Sequence, residues 1–381
     1  MTITATALSV SGVRITARYA LRGPLHEARE RAETIAVEQT IEFPADLIAD
    51  DDIRRYVIGR VESIDVMGSD LAVAEISYAV ETTGFELPQL LNVLFGNCSL
   101  LPGVRLLAVL FPPEFLARFR GPRFGIAGLR TVVGVPGRPL LATALKPMGL
   151  GGRALADMAR TLAMAGIDII KDDHGLANQP FAAFADRVQA CAAAVREANE
   201  ATGRHVLYLP SINAPAGEIA ARAHFARAAG AGGLLVLPGL TGFDTMRRLA
   251  DDDDLALPIM GHPAFLGSHV VDDRGGIEHG LLFGTIMRLA GADLSVFPSF
   301  GGRFSFSPEA CGSIAAACRD PLGPLAPILP VPAGGMTIDR LDELATFYAH
   351  DSVLLIGGNL HRGDLYQNAC RMRAAVEQQA G

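Results

Sequence analysis

Long apolar runs, paired cysteines and a strong net charge are all missing from this sequence. No apolar stretch approaches the length that crosses a bilayer, and MTITATALSV has no basic region ahead of a long apolar core. Neither a membrane span nor a signal peptide is therefore expected. The five cysteines (Cys98, Cys191, Cys311, Cys318 and Cys370) are odd in number and widely scattered. That excludes a disulfide framework and a zinc pattern and fits a reducing, cytoplasmic compartment. Charged residues make up only 19% and the net charge is -8, which argues against nucleic acid or an anionic membrane as partner. What is present is a 50% hydrophobic content over 381 residues, enough for a large core and comfortable for two domains.

The first third reads as an α+β unit. Residues 13–21 alternate as a strand does, 25–32 are helical in composition, and 33–44 return to strand. Residues 50–55 offer an acid-rich helix start. The runs 60–67 and 71–80 flank a Gly-Ser-Asp turn and predict a hairpin. A helix over 87–95 and a strand over 104–111 complete a sheet with helices on one side, a ferredoxin-like domain. Two polar residues stand out: Glu38 within the expected second strand, and Asn92 near a glycine-containing turn. Each alone is ordinary, as a strand-edge charge or a capping amide. Residues 121–137 are rich in Gly, Arg and Pro without a period and read as the interdomain connection, so the domains are taken as 1–125 and 126–381.

From residue 138 the pattern changes. Eight short apolar runs (RPLLATALK, GIDIIKDD, HVLYLPSI, GGLLVLPG, ALPIMGHPA, ADLSVFPS, LAPILPVPAGG and SVLLIGGN) alternate with alanine-rich segments of helical spacing. This is the rhythm of a (β/α)8 TIM barrel with parallel strands covered on both faces. A doubly wound open sheet competes, but no dinucleotide fingerprint follows any strand.

Chemistry in a barrel sits at the C-terminal strand ends. Those ends carry, in order, Lys146, then Lys171 with Asp173 and His174, Asn213, Thr241, His262, Ser299 with Arg303 on its loop, Gly334-Gly335, and Gly357-Gly358. Strand alternation puts Lys171 and Asp173 on one face and Asp172 on the other. The glycine pairs offer bare backbone N–H groups to a phosphate, with Arg303 as counter-charge. Lys171, Asp173 and His174 offer a cation site, provided Lys171 is deprotonated or converted by carbon dioxide to a carbamate, because an ammonium has donors only.

The segments GRPLLATALKPMGL, GIDIIKDDHGLANQPFAAFADRV, RLAGAD, PAGGM and DSVLLIGGN resemble the RuBisCO large-subunit superfamily. The resemblance covers nearly the whole chain. It implies an N-terminal α+β domain, a C-terminal barrel, and a homodimer or higher assembly in which a second copy contributes Glu38 and an asparagine near Asn92. It also implies catalytic roles for Lys146, Lys171 and His262, and Mg2+ or another divalent cation at a carbamylated Lys171, Asp173 and position 174. The departures are informative. The third metal ligand, a glutamate in the family, is His174. The second lysine of the KPK motif is Met148, and an arginine beside His262 is Pro263. A histidine of strand six is Val296, and a serine of strand seven is Ala333. One of two phosphate sites thereby loses its polar ligands, and an uncompensated dianion there costs several kcal/mol. The chain therefore reads as a RuBisCO-like protein rather than a ribulose bisphosphate carboxylase.

The function expected is metal-dependent enolisation or isomerisation of a monophosphorylated keto sugar, of methylthioribulose-phosphate type. The alternatives are decarboxylation of a phosphorylated 3-oxo sugar acid, which passes through the same enolate, and a non-catalytic, metabolite-binding family member.

Overall fold

The computed structural model describes residues 8–378. They form two compact units, one running to Phe119 and taking in Gly267–Leu282, the other built from Arg120–Leu266 and from Phe283 onward. A single boundary at 125/126 does not capture this path. The chain passes between units three times, because Gly267–Leu282 leaves the second unit to join the first.

In the first unit, β1 (Arg14–Arg22), β2 (Arg60–Val66), β3 (Leu71–Ala79) and β4 (Val104–Leu110) pair antiparallel in the order β4-β1-β3-β2. The two-residue strand Gly276–Ile277, numbered β10 from its place in the chain, extends the sheet beyond β4 in parallel. With α1 (Ala28–Glu38) between β1 and β2 and α2 (Leu87–Phe95) between β3 and β4, this is the ferredoxin-like order expected. In β1 the alternate residues Ile15, Ala17, Tyr19 and Leu21 are buried, as a half-buried strand requires.

The strand expected over 33–44 is absent: α1 continues through Glu38. Its buried residues Ala28, Ala32, Ile35 and Ala36 follow the helical i, i+4, i+7, i+8 stripe. That stripe begins before Glu33, and dividing the segment there hides it.

The second unit holds the eight barrel strands at the eight apolar runs: β5 (Leu140–Leu145), β6 (Ile169–Asp172), β7 (Leu207–Leu209), β8 (Leu234–Val236), β9 (Ile259–Gly261), β11 (Leu294–Pro298), β12 (Leu329–Ala333) and β13 (Val353–Leu355). They pair in parallel as β13-β5-β6-β7 and β8-β9-β11-β12. A bridge between Ser211 and Leu235 joins β7 to β8, and β12 lies beside β13, which closes the barrel. Leu140, Ile169, Leu209, Leu235, Leu294 and Val331 fill its interior. Among the described residues no helix is long and apolar enough to cross a membrane.

Residues 121–137 are not an irregular connection: Gly125–Val133 is a helix. Its capping group comes from far along the chain. The Asp293 carboxylate accepts from the backbone N–H groups of Phe124 and Gly125, at 2.7 and 2.8 Å, and from Ile259 N–H at 3.0 Å. Burial pushes Asp293 up to about 6 despite these bonds. At the strand starts, Arg138 grips Asp168 through two 2.7 Å bonds, both side chains 5% exposed. The opposite ends of the strands are left to carry the site.

Candidate active site

Four neighbouring residues at the end of β6 divide between two jobs. Asp172 faces away from the barrel axis and is fully buried. Its carboxylate accepts from Arg187 Nε at 3.1 Å, Tyr208 OH at 2.8 Å and Ser211 N–H at 3.1 Å. It thereby fastens β6 to the helix Phe184–Thr202 and to β7. Lys171 and Asp173 take the other face, as strand alternation requires.

Lys171 is 2% exposed, and its Nζ donates to the Asp172 carbonyl at 3.0 Å. Burial brings its ammonium down to about 8, with Lys146 reinforcing the shift and Asp173 opposing it. Lys146, at the end of the neighbouring β5, places its Nζ 2.5 Å from Asp173 Oδ1. The Lys146–Pro147 peptide bond is cis. His174 Nδ1 lies 3.3 Å from the same Asp173 oxygen. Burial pulls Asp173 upward, but the hydrogen bonds from His174 and Lys146 and the charges of Lys146 and Lys171 outweigh it. The carboxyl is held well below the usual carboxylate range.

His262, just past β9, stacks on His174 with ring centroids 4.6 Å apart and planes 15° from parallel. Burial, then the charges of Lys171 and His174, hold it well below its ordinary value. The Ala264 N–H donates to His262 Nδ1 at 3.2 Å. The neutral ring therefore carries its proton on Nε2. Lys146, Lys171, Asp173, His174 and His262 thus gather in one cluster.

The glycine pairs differ from each other. Gly358 has open space where a Cβ would stand, and a Cβ on Gly357 would lie 3.6 Å from Lys146 Cε. This pair is open and borders the lysine. Gly334 and Gly335 have φ of 87° and 103°, and the Arg303 loop packs onto them. A Cβ on Gly334 would come within 2.8 Å of the Phe304 ring, and Arg303 N–H donates to the Gly334 carbonyl at 3.0 Å. The exposed Arg303 side chain lies over Phe304, 5.2 Å from the ring centre.

Two strand-end residues spend their side-chain hydroxyls elsewhere. Ser299 is buried and pairs with Tyr348 OH at 3.0 Å. Thr241 donates to the Leu237 carbonyl, whereas at Asn213 it is the main-chain carbonyl that accepts from Arg222. Val296 belongs to the packed barrel interior. Met148 is 49% exposed and leans on Gly175, where a Cβ would meet its Cε at 2.6 Å.

In the first unit, Glu38 ends α1, and its Oε1 accepts from Asn97 Nδ2 at 2.9 Å. Asn92 turns instead toward Gln89, 3.4 Å away, and its carbonyl accepts from Gln39 Nε2 at 2.7 Å. The asparagine beside Glu38 is therefore Asn97, five positions beyond the one singled out from sequence. Gln39 fixes this arrangement by also accepting from Cys98 N–H at 2.8 Å.

Among the described residues, no three His, Cys, Asp or Glu side chains converge as a metal-holding group. Asp173 and His174 supply two donors. A third donor would have to come from Lys171 as a carbamate, a conversion to which an amine lowered to about 8 is suited. In that form the set would have two anionic groups and one imidazole, a donor set of the kind that holds a divalent cation.

Comparison with known proteins agrees with this fold. The family described as "Ribulose bisphosphate carboxylase large chain, catalytic domain" matches residues 125–299. Ribulose bisphosphate carboxylase-like protein 1 of Rhodopseudomonas palustris is 40% identical over 95% of this chain and 97% of its own. 5-Methylthioribulose-1-phosphate isomerase of Rhodospirillum rubrum is 39% identical over 91% of each chain. 2,3-Diketo-5-methylthiopentyl-1-phosphate enolase of Geobacillus kaustophilus is 34% identical over 88% of this chain and 84% of its own. Among solved structures, a RuBisCO-like protein from Rhodopseudomonas palustris superposes with a TM-score of 0.88 at 39% identity, covering 96% of this chain and 98% of that one. The octameric RuBisCO of Pyrococcus horikoshii superposes with a TM-score of 0.90 at 26% identity, covering 97% and 89%. With a RuBisCO-type barrel, the KDD cluster at its mouth and relatives of this similarity along its length, the chain belongs to the RuBisCO large-chain family and is similar to its RuBisCO-like proteins.

Proposed function

We propose that this chain is an enolising enzyme, an isomerase or tautomerase acting on a monophosphorylated keto sugar of methylthioribulose-phosphate type. The observation that carries the reading is the cluster of Lys146, Asp173, Lys171 and His262 at one barrel mouth. Enolisation needs a group that moves a proton beside a carbonyl and donors aimed at the oxygen where charge develops. Lys146, held on Asp173, exchanges a proton with the enediolate. Neutral His262 offers its Nε2–H to the developing oxyanion without carrying a charge of its own.

Backbone N–H groups of Gly357 and Gly358 receive the phosphate, with Arg303 and the Gly334-Gly335 turn closing over it. Exposed Met148 and partly buried Pro263 suit an apolar, methylthio-bearing end. The relatives named 5-methylthioribulose-1-phosphate isomerase and 2,3-diketo-5-methylthiopentyl-1-phosphate enolase support a keto monophosphate with a methylthio end.

Lys171 Nζ, as free amine, adds to carbon dioxide, forming an N–C bond and releasing one proton. The resulting carbamate, Asp173 and His174 would hold Mg2+ or a similar cation. When bound, such a cation polarises a substrate carbonyl. Glu38 and Asn97 of a second copy complete the site in a homodimer or an assembly of dimers.

The test is deuterium uptake at the α-carbon in heavy water, using 5-methylthioribulose 1-phosphate and a panel of other ketose monophosphates, with Mg2+ and bicarbonate. Uptake that Lys146→Met abolishes is the expected result. Absence of uptake with every sugar would overturn the reading, and carbon dioxide release from 3-oxo sugar acids without uptake would replace it by decarboxylation.

A further inference from the structure

Among the described residues of the second unit, Ser211 Oγ, Asp251 Oδ1 and His361 Nε2 are buried side-chain atoms without a hydrogen-bond partner, and of these His361 lies on the loop that borders Lys146. Its Nε2 is shut off from solvent. Buried nitrogens are seldom left without a partner in native proteins, and one that is calls for a role.

Its position tells what that role involves. β13 pairs in parallel with β5, with Leu355 opposite Ala142, so the loop after β13 emerges beside the end of β5 that carries Lys146. His361 closes the single 3-10 turn Gly358–His361, and the Lys146 stem passes over Gly357 at the start of that turn. The turn is pinned. Leu360 N–H donates to the Gly357 carbonyl at 3.1 Å, and Asn368 Nδ2 donates to the carbonyls of Leu360 and Arg362 at 3.0 and 2.9 Å. The imidazole is thus carried on a backbone clamped at both sides. Burial, then the Lys146 ammonium, hold the ring below its ordinary value. Near neutral pH one ring nitrogen is therefore an acceptor without charge.

We propose that His361 is a positioning residue for Lys146, its imidazole accepting a hydrogen bond from the Lys146 ammonium when that ammonium leaves Asp173 to meet the substrate. An ammonium carries three donor hydrogens, and Asp173 Oδ1 satisfies one of them. Proton exchange at an enediolate requires Lys146 to move off the carboxylate. In a partly buried mouth, a cation that loses its carboxylate needs another acceptor. A neutral imidazole fills that need and attracts the lysine less than a carboxylate, so the lysine is guided without being trapped. The inference rests on the proton-handling role proposed for Lys146.

Two measurements separate the inference from that role. With the substrate identified by deuterium uptake, His361→Leu should lower kcat at least tenfold with KM changed less than twofold. His361→Gln, which keeps an acceptor, should recover to within threefold of wild type. Equal kcat for the Leu and Gln variants, both folded by circular dichroism, would overturn the inference. The second measurement needs no turnover. In protein labelled with 15N-histidine, Asp173→Asn frees Lys146, and a His361 ring nitrogen should move toward the hydrogen-bonded position. That movement should vanish in Asp173→Asn/Lys146→Met. No movement in Asp173→Asn would sink the pairing even if the enzyme proves an isomerase. If no sugar phosphate is turned over, the nitrogen shift still decides between pairing and none.

Discussion

Replacing Lys171 by methionine removes one titrating group from the barrel interior and keeps a side chain of similar length. Lys171 is 2% exposed, and burial takes its ammonium from 10.5 to about 8. In the unfolded chain it titrates at its ordinary value. Between the two values the unfolded chain holds a proton that the folded chain has released. Stability contributed through this group therefore rises with pH across that window and is flat below it. At ~1.36 kcal/mol per unit, wild type should gain about 2.5 kcal/mol on Lys171→Met between pH ~7 and pH ~10. The remaining ionisations are shared by both proteins and largely cancel in the difference. Urea unfolding of the two proteins, in buffer freed of carbon dioxide and containing a chelator, measures this directly. Parallel stability curves would refute the reasoning, because Lys171 would then ionise alike in the folded and unfolded chains. The same buried amine is the one proposed to capture carbon dioxide. Addition of bicarbonate and Mg2+ should accordingly stabilise wild type and leave Lys171→Met unchanged.

Arg187→Met strands the fully buried Asp172 carboxylate, and should cost about 3–5 kcal/mol in urea unfolding. Mixing Glu38→Gln subunits with Lys171→Met subunits under exchange conditions should restore about a quarter of wild-type activity, since one site of each hybrid dimer is intact. No recovery on mixing would show that the first unit does not complete another copy's site. Because His262 is held well below 6.5, kcat/KM should show no acid limb near that value attributable to this ring. Profiles of wild type and His262→Gln should then be parallel from pH ~6 to pH ~7.5, and a limb lost on substitution would contradict the depressed ring.

The barrel was legible because parallel strands covered by helices are apolar along their length, and the eight runs mark them one by one. The β6 end was legible for a different reason. Alternation alone separates Lys171 and Asp173 from Asp172, and the bonds of Asp172 to Arg187 and Tyr208 follow that division. Apart from the strand expected over 33–44, where a local helical stripe was divided, the differences share a cause, which is partners distant in sequence. The helix Gly125–Val133 takes its cap from Asp293, which no local motif announces. Asn92 and Asn97 sit on either side of the same helix end, and only the contact with Glu38 distinguishes them. The two glycine pairs read alike until Phe304 is seen against Gly334. Ser299 follows a strand as a catalytic residue would, yet it turns to Tyr348, a partner 49 residues away.

The excursion Gly267–Leu282 bears on how the protein is made. Until β10 leaves the ribosome, β4 is the outer edge of the first sheet, and the backbone groups that will meet Gly276 and Ile277 are unpaired. Arg105, 7% exposed in the finished chain, has yet to meet the carbonyls of Asp272 and Gly275. Synthesis at ~5–20 residues per second leaves that edge bare for about 10–30 s. During that interval the nascent sheet can pair with a neighbouring chain on the same message. A fragment ending at residue 125 would carry the bare edge permanently.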